Sequence, residues 1–357
     1  MKIAHLADLH LGFPPGGGKL GGFALRQRTQ DVLQAFRQAC DEVAAVKPDV
    51  IVVAGDIFHM PRPDNDVVLQ VYSEFSALSK RTPGALRVLV AGNHDQGNYA
   101  DTGCLLPLLK FCGFEVSVRE PRYYTKGNVC VHAVPEGCKP GLKPIGDSTN
   151  ILLYHGEVNL MPPRQTKDPI PMSAFAEWDY VALGHYHQRT DGPNGGYAGS
   201  LEHVSSDPWH EDASRFGWVL WDTDTKTRRI FPSAPRPHVD LPIIDAASMS
   251  VNGIREALKK NAATAPENAV VRQLVAGLRK EDGKDLAPAV RDISRRFLRY
   301  RCERVKPMPG KDDDTVLLDI PGFIVGGVDP YEEFYSDEGE FDAEARRRSD
   351  TLTKEPA

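Results

Sequence analysis

No apolar stretch in the 357-residue chain approaches the eighteen or so residues of a membrane-spanning helix. The opening MKIAHLADLHLG also lacks the charged, apolar and small-residue order of a signal peptide, and reads as a first strand. The six cysteines (Cys40, Cys104, Cys112, Cys130, Cys138 and Cys302) contain no C-x-x-C pair. That spacing speaks against a zinc ribbon and for reduced, mostly buried thiols. No internal repeat is visible. These absences predict a globular protein of the cytoplasm, with no membrane association, and 41% hydrophobic content is enough to bury a core.

The net charge of −6 would by itself count against a polyanionic partner, but it is unevenly placed. Residues 269–306 hold eleven Lys/Arg against five Asp/Glu, whereas residues 307–357 hold five against fourteen. An acidic tail therefore hides a chain that is otherwise slightly basic.

Short apolar runs recur: KIAHLA (2–7), DVIVVA (49–54), LRVLVA (86–91), NILLY (150–154) and DYVALG (179–184). Runs of this kind read as strands buried on both faces. Helical patterns separate them, at 25–46 (Val32, Phe36, Ala39, Val43, Val46) and 66–80 (Val68, Val71, Tyr72, Phe75, Leu78). The alternation predicts an α/β sandwich. GYAGSLE and GWVLWDT read as closing strands, and the Pro-rich SAPRPHVDLP (233–242) as a linker. The expected organisation is a domain over 1–234, a small βαβαβ domain over 235–306 (helices at 248–261 and 286–297), and an acidic tail over 307–357.

The polar residues that follow each strand share one chemistry. Strand one ends in D-x-H (Asp8, His10), the second in G-D (Gly55, Asp56) and the third in G-N-H-D (Gly92, Asn93, His94, Asp95). The fourth ends in H-G (His155, Gly156) and the fifth in G-H-x-H (Gly184, His185, His187). Ligands of open α/β sheets bind beyond the carboxyl ends of the strands, so all five sets can face one crevice. Asp8, His10, Asp56, Asn93, His155, His185 and His187 mix hard oxygen with imidazole nitrogen, a set suited to Mn²⁺, Fe²⁺ or Zn²⁺. Seven groups exceed one ion's usual share. If Asp56 bridges, two ions would sit about 3.5–4 Å apart, the spacing of two-metal phosphoryl hydrolysis. His94 should point away from the ions while staying near them, as a general acid requires. Asp95 is expected to orient His94 or cap the following segment, and His5, His132, His203, His210 and His238 match no motif.

These motifs resemble the calcineurin-like metallophosphoesterase superfamily over residues 1 to about 230. Within it, GDIFHMPRPDN (55–65), AGNHD (91–95), ALGHYH (182–187) and YAGSLE (197–202) resemble the SbcD nucleases, the meiotic-recombination-eleven family of DNA-repair exonucleases. The resemblance implies a four-layer metallophosphoesterase-type β-sandwich flanked by helices, with a small α/β capping domain after 235. It implies one ion held by Asp8, His10, Asp56 and His187 and another by Asp56, Asn93, His155 and His185. His94 would assist the leaving oxygen, and His59 would act near the substrate phosphate, although a loop histidine could equally be solvated. The implied activity is Mn²⁺-dependent cleavage of DNA, as a 3′-to-5′ exonuclease and single-strand endonuclease in double-strand break repair or end processing. The implied partners are an SbcC-type ATPase and a second copy of the chain, through 66–80 and 101–111 (Leu105, Leu106, Leu108, Leu109), although ordinary core packing explains most of these apolar residues equally well.

DNA contacts could come from Arg62, Arg164 and Arg189 beside the motifs. They could also come from the basic segment with Arg291, Arg295, Arg296, Arg299, Arg301 and Arg304, interleaved with Phe297 and Tyr300. A solvated face is the plain alternative. For docking an ATPase, only the acidic stretch 329–348 is at hand, with Tyr331, Phe334, Tyr335 and Phe341 as hydrophobic anchors. The rival function is a small-molecule phosphodiesterase of the same superfamily, which would share every ligand. The absence of GD-x-x-DRG and GNHE forms counts against a protein Ser/Thr phosphatase. The complete ligand set counts against a non-catalytic scaffold.

Overall fold

The structure, a computed structural model, describes residues 1–14, 22–96, 103–141, 143–160, 169–205 and 207–305. The chain forms two compact units, one spanning Met1–Arg236 and the other beginning at Pro237. The first unit opens with β1 (Lys2–Leu6), α1 (Phe23–Val46), β2 (Val50–Ala54), α2 (Asn65–Arg81) and β3 (Leu86–Val90). It continues with β4 (Glu115–Ser117), β5 (Arg122–Lys126), β6 (Val129–Val134), β7 (Thr149–His155) and β8 (Tyr180–Gly184). It closes with β9 (Thr190–Gly192), β10 (Gly195–Tyr197), β11 (Gly217–Asp222) and β12 (Arg228–Pro232). Among the described residues these strands make two six-stranded sheets, ordered β12-β11-β1-β2-β3-β4 and β5-β6-β7-β8-β10-β9.

The continuous apolar runs are explained by burial on both faces. One set of alternating residues, Ile3, Val50, Val52, Val88 and Val90, meets Val131, Ala133, Ile151, Leu153 and Ala182 of the other sheet. His5 belongs to this layer: its ring nitrogens lie 3.1 Å from the Tyr180 hydroxyl and 3.2 Å from the Leu183 carbonyl oxygen. Helices α1 and α2 bury Phe36 and Phe75, whose rings are 5.0 Å apart. The buried face of α2 is Val67, Val71, Phe75 and Leu78, so Val67 takes the core position that the periodicity gave to Val68. The 101–111 pattern resolves, among the described residues, into a 3₁₀ helix over Leu106–Cys112 with Leu106 and Leu109 buried. Gly113 closes it in the left-handed conformation, which stops the turn from propagating.

β1, β2 and β3 run parallel, as do β6, β7 and β8. The carboxyl ends within each set therefore lie along one edge, and the two edges touch. The Nδ1 of His155, at the end of β7, donates to the Ala54 carbonyl oxygen at the end of β2, at 2.8 Å. Gly184 at the end of β8 comes so close to the same carbonyl that a Cβ there would lie 1.8 Å from its oxygen.

The second unit contains β13 (His238–Asp245), α3 (Val251–Ala262), β14 (Val270–Ala276), α4 (Asp282–Ser294) and β15 (Arg299–Val305). Its three strands are parallel with β14 in the centre. Ile254, Leu258, Leu286, Val290 and Ile293 cover Val271 and Val275. Helix α4 starts four residues before the expected 286, so Pro288 lies inside it rather than in its first turn. Phe297 and Tyr300 are buried and stacked, with centroids 5.6 Å apart, so these rings belong to the core and are not surface platforms for bases.

Replacing Gly184 by Ala forces backbone apart where the two sheets meet. A loss of about 1–3 kcal/mol is expected in urea unfolding. Gly84→Ala, where none of the described residues would lie within 4 Å of the added Cβ, should stay within roughly 0.5 kcal/mol of wild type.

Candidate metal centre

The loops that leave β1 and β2 are zipped together. The amides of Asp8, His10 and Leu11 donate to the carbonyl oxygens of Gly55, Asp56 and Ile57 at 3.1, 2.9 and 2.9 Å, and His59 N–H returns to Leu11 at 3.1 Å. Asp8, His10, Asp56 and His185 all adopt positive φ, at 50°, 43°, 50° and 121°. Such backbone is costly for residues other than glycine and persists where the surroundings over-determine it. Here four residues that share one crevice carry it.

The side chains converge on Asp56. Its Oδ1 accepts the His94 amide at 2.9 Å. Its Oδ2 lies 3.5 Å from His10 Nε2 and 3.6 Å from His155 Nε2, between two groups of donors. On the first side, His10 Nε2 is 3.0 Å from His187 Nε2. On the second, Asn93 Oδ1 is 3.0 Å from His155 Nε2 and 3.2 Å from His185 Nδ1. Asp8 uses Oδ1 to accept the His185 amide at 2.8 Å, while its buried Oδ2 has no hydrogen-bond partner among the described residues. The bond from His155 Nδ1 to Ala54 leaves the Nε2 lone pair facing the cluster. All seven expected ligands thus come together.

Burial drives the electrostatics. It raises the Asp8 carboxyl well above the ordinary range, with the Asp56 charge adding to it. It lowers His10 well below the usual value, and the neighbouring imidazoles, His187 first, lower it further. Burial, then His155, takes His185 down to about 4, and burial, then His94, takes His59 down to about 3. Neutral imidazoles around carboxylates, one with an orphaned oxygen, form a donor set that a divalent cation fits.

His59 and His94 sit at the rim of the first group. His94 Nδ1 donates to the His59 carbonyl oxygen at 2.7 Å, and its ring meets His10 edge-on at 4.7 Å. His59 Nδ1 lies 3.2 Å from His10 Nδ1. The segment that Asp95 was expected to cap lies, from residue 97, outside the described residues, and among those described Asp95 does not bond the His94 ring. It accepts the amides of Ile57, Phe58 and Gly92 at 3.2, 2.9 and 3.0 Å, locking the β2 and β3 loops to each other. Burial, then Asp56, raises it to about 8.

The arginines are less concentrated. Arg62 is exposed. Arg189 is partly buried and donates to the Ser214 carbonyl oxygen at 3.4 Å. Arg295 is exposed beside Asp292 at 3.1 Å, and Arg299 is half-buried on β15. Arg164 and residues 306–357, with the acidic stretch, lie outside the described residues. His132 and His203 bind Asn150 and Glu211 at 2.9 and 2.8 Å, structural roles consistent with their lack of a motif. Glu157 went unmarked in the sequence. It is buried and 3.6 Å from His185 Nε2, and a carboxylate two residues after a ligand histidine was its one available signal.

The profile of the calcineurin-like phosphoesterases matches residues 1–221. The chain belongs to that family. This phosphoesterase is 27% identical over 227 residues to the DNA double-strand break repair protein Mre11 of Methanococcus maripaludis, covering 57% of this chain and 58% of the relative. It is 26% identical over 230 residues to the Mre11 of Methanopyrus kandleri, covering 57% and 49%. The chain therefore matches about half the length of these relatives. A solved archaeal phosphodiesterase aligns with 65% of this chain and 99% of its own at a TM-score of 0.36 and 16% identity. Members of the family are metal-dependent phosphoesterases, which accords with the donor set.

Asp8 offers a test of the cation fit. Its raised folded-state pKa means that its favourable contribution is present below the unfolded value of about 3.9 and is lost as pH rises through the folded value. Without ions at pH 8, Asp8→Asn should therefore melt above wild type, by roughly 2–4 °C for each kcal/mol relieved. The gap should close as pH falls toward about 4. Added Mn²⁺ should raise the wild-type Tm and move the variant much less. An ion-free variant that melts lower at pH 8 would refute the reading.

Proposed function

We propose that this chain is a two-ion DNA phosphodiesterase, working as a 3′-to-5′ exonuclease and single-strand endonuclease in DNA end processing. The observation that carries this is Asp56 Oδ2, set between His10 and His155 so that one carboxylate serves both donor groups. Asp8, His10, Asp56 and His187 would hold one ion, and Asp56, Asn93, His155 and His185 the other. Two divalent ions, in this reading Mn²⁺, would supply a nucleophile at neutral pH and offset charge on the phosphoryl oxygens.

The chain's own residues do the rest. His10 Nδ1 lies 3.2 Å from His59 Nδ1; with His10 as the donor, its Nε2 would be left as a ligand and His59 would take a positioning task beside the phosphate. His94, with Nδ1–H committed to the His59 carbonyl oxygen, is left with Nε2 for the substrate, and as the imidazolium it would pass its Nε2 proton to the departing sugar oxygen, becoming the neutral Nδ1–H tautomer. The crevice residues are held by backbone bonds rather than by long flexible side chains, so little reorganisation accompanies reaction.

DNA is favoured over a small phosphodiester by the likeness to proteins named for double-strand break repair. The second unit, proposed as a DNA-capping domain over 235–306, adds exposed Arg291, Arg295 and Arg296. Arg62, Arg189 and Arg299 are further candidate phosphate contacts. An SbcC-type ATPase is the proposed partner and the cytoplasm the proposed compartment; the six free cysteines accord with a reducing one. Self-association is proposed through the segments 66–80 and 101–111, where Leu69 on α2 and Phe111 in the following 3₁₀ helix are 68% and 82% exposed.

Mn²⁺-dependent degradation of end-labelled single- and double-stranded DNA, assayed beside bis-p-nitrophenyl phosphate and a cyclic nucleotide, tests the activity. His94→Ala should lower DNA cleavage by roughly 10²–10⁴-fold while Mn²⁺ uptake is kept. Hydrolysis of the small esters alone would replace this reading with the small-molecule phosphodiesterase. Separately, Phe111→Glu combined with Leu69→Glu should shift the molar mass measured by light scattering from dimer to monomer, and a wild-type monomer would remove the self-association claim.

A further inference from the structure

Glu157 lies on the turn after β7, two residues beyond His155, and its side chain is only 6% exposed. A carboxylate in that position is costly unless its oxygens meet donors. Tyr186 supplies one, its hydroxyl donating to Oε1 at 3.3 Å. On the other side, the same Oε1 faces His185 Nε2 at 3.6 Å. Among the described residues that nitrogen has no hydrogen-bond partner. The opposite nitrogen of the ring, Nδ1, is the one beside Asn93 Oδ1 at 3.2 Å. The imidazole is thus strung between an acidic group behind it and the donor group in front.

The turn is built to hold this arrangement. The Tyr197 hydroxyl accepts the Val158 amide at 2.7 Å and donates to the Gly156 carbonyl oxygen at 3.0 Å, bracketing Glu157 on both sides. Tyr197 meets Tyr186 edge-on at 4.9 Å. Gly156 N–H donates to the Gly184 carbonyl oxygen at 3.2 Å, so the turn carrying Glu157 is tied to the strand end carrying His185. Neutral imidazole has one N–H and one lone pair, and the partner of one nitrogen decides which the other presents.

We propose that Glu157 is a positioning residue that takes the Nε2–H of His185, fixing the tautomer whose Nδ1 lone pair faces Asn93 and His155 and so completing the second of the two cation sites. At 3.6 Å the contact is longer than a hydrogen bond, so the proposal requires the ring and the carboxylate to draw together. The inference rests on the two-ion reading above. It adds a residue that none of the strand-end motifs contains, and it acts on the second donor group, through His185.

The full-length chain is titrated with Mn²⁺, with uptake followed by calorimetry and by the Mn²⁺ paramagnetic signal. The wild type should take up two ions. Glu157→Ala should leave the first in place and weaken the second by roughly 10–100-fold. Glu157→Gln, whose amide oxygen still accepts the N–H, should recover most of that loss. In the ion-free protein, nitrogen-15 spectra of the His185 ring should place the proton on Nε2 in wild type and on a mixture of both nitrogens in Glu157→Ala. Unchanged uptake of both ions in Glu157→Ala overturns the proposal. Equal weakening of both sites, unrescued by Gln, also overturns it, since that pattern belongs to a fold defect. A wild type that takes up fewer than two ions defeats the two-ion reading instead, and the ion-free spectra then report separately whether Glu157 sets the tautomer.

Discussion

The constraint on which the rest depends is the burial of the Asp56 carboxylate where the ends of two sheets meet. One oxygen is occupied by the His94 amide, and the other stands between His10 and His155. Asp8 lies close enough for its own carboxyl to be pushed up by the Asp56 charge. Two acids and several neutral imidazoles in a water-poor crevice are poorly balanced on their own, because burial opposes both the carboxylate charge and the protonation of the rings. A cation removes both conflicts at once. The strained φ values of Asp8, His10, Asp56 and His185 are consistent with backbone arranged for that balance rather than for local comfort.

The architecture can be read as the means of delivering these groups to one point. Parallel strands put their carboxyl ends on a common edge, and face-to-face packing brings the edge of β2 against those of β7 and β8. The price of that approach is steric: glycine at 184, where any Cβ would strike the Ala54 carbonyl, and glycine at 55, where positive φ and the His155 ring leave no room for a side chain. The same Ala54 carbonyl orients His155, so the closest contact between the sheets is also a support of the site.

Most of this was legible because strand-end ligands are local. Five short motifs, each a few residues long, carried all seven donor residues, and buried parallel strands announced themselves as unbroken apolar runs. What was less legible depended on geometry across the fold. Val67 rather than Val68 faces the core, because i, i+4, i+8 and i+11 from Val67 align better with the sheet than the pattern counted from Val68. Asp95 adjoins His94 in sequence but serves the loop 57–58, a pairing fixed only when β2 and β3 lie side by side. Strand β5, RYYTK, has a mostly exposed pattern and gives no buried-strand signal. Phe297 and Tyr300 show the converse: their alternation with arginines suggested a nucleic-acid face, but they turn inward to stack.

Glu157 extends the same lesson to chemistry. Sequence reasoning finds residues that touch an ion because the ion imposes composition and spacing on them. It does not find residues that act on a ligand from behind, since their only requirement is to meet one ring nitrogen in space. Tyr186 and Tyr197 lie 29 and 41 residues from the turn they brace, and nothing in their local sequence ties them to it. The two donor groups around Asp56 look alike as motifs, yet they are braced differently: behind the His185 ring stands the buried Glu157 carboxylate, 3.6 Å from Nε2. Ions held by nominally similar ligands need not then be equivalent. The more firmly oriented ring favours a fixed ion, whereas on the other side His10 leans on His59, which also holds His94 through its carbonyl oxygen. On the proposed two-ion reading, these different supports would tie the first site to proton delivery and the second to rigid placement.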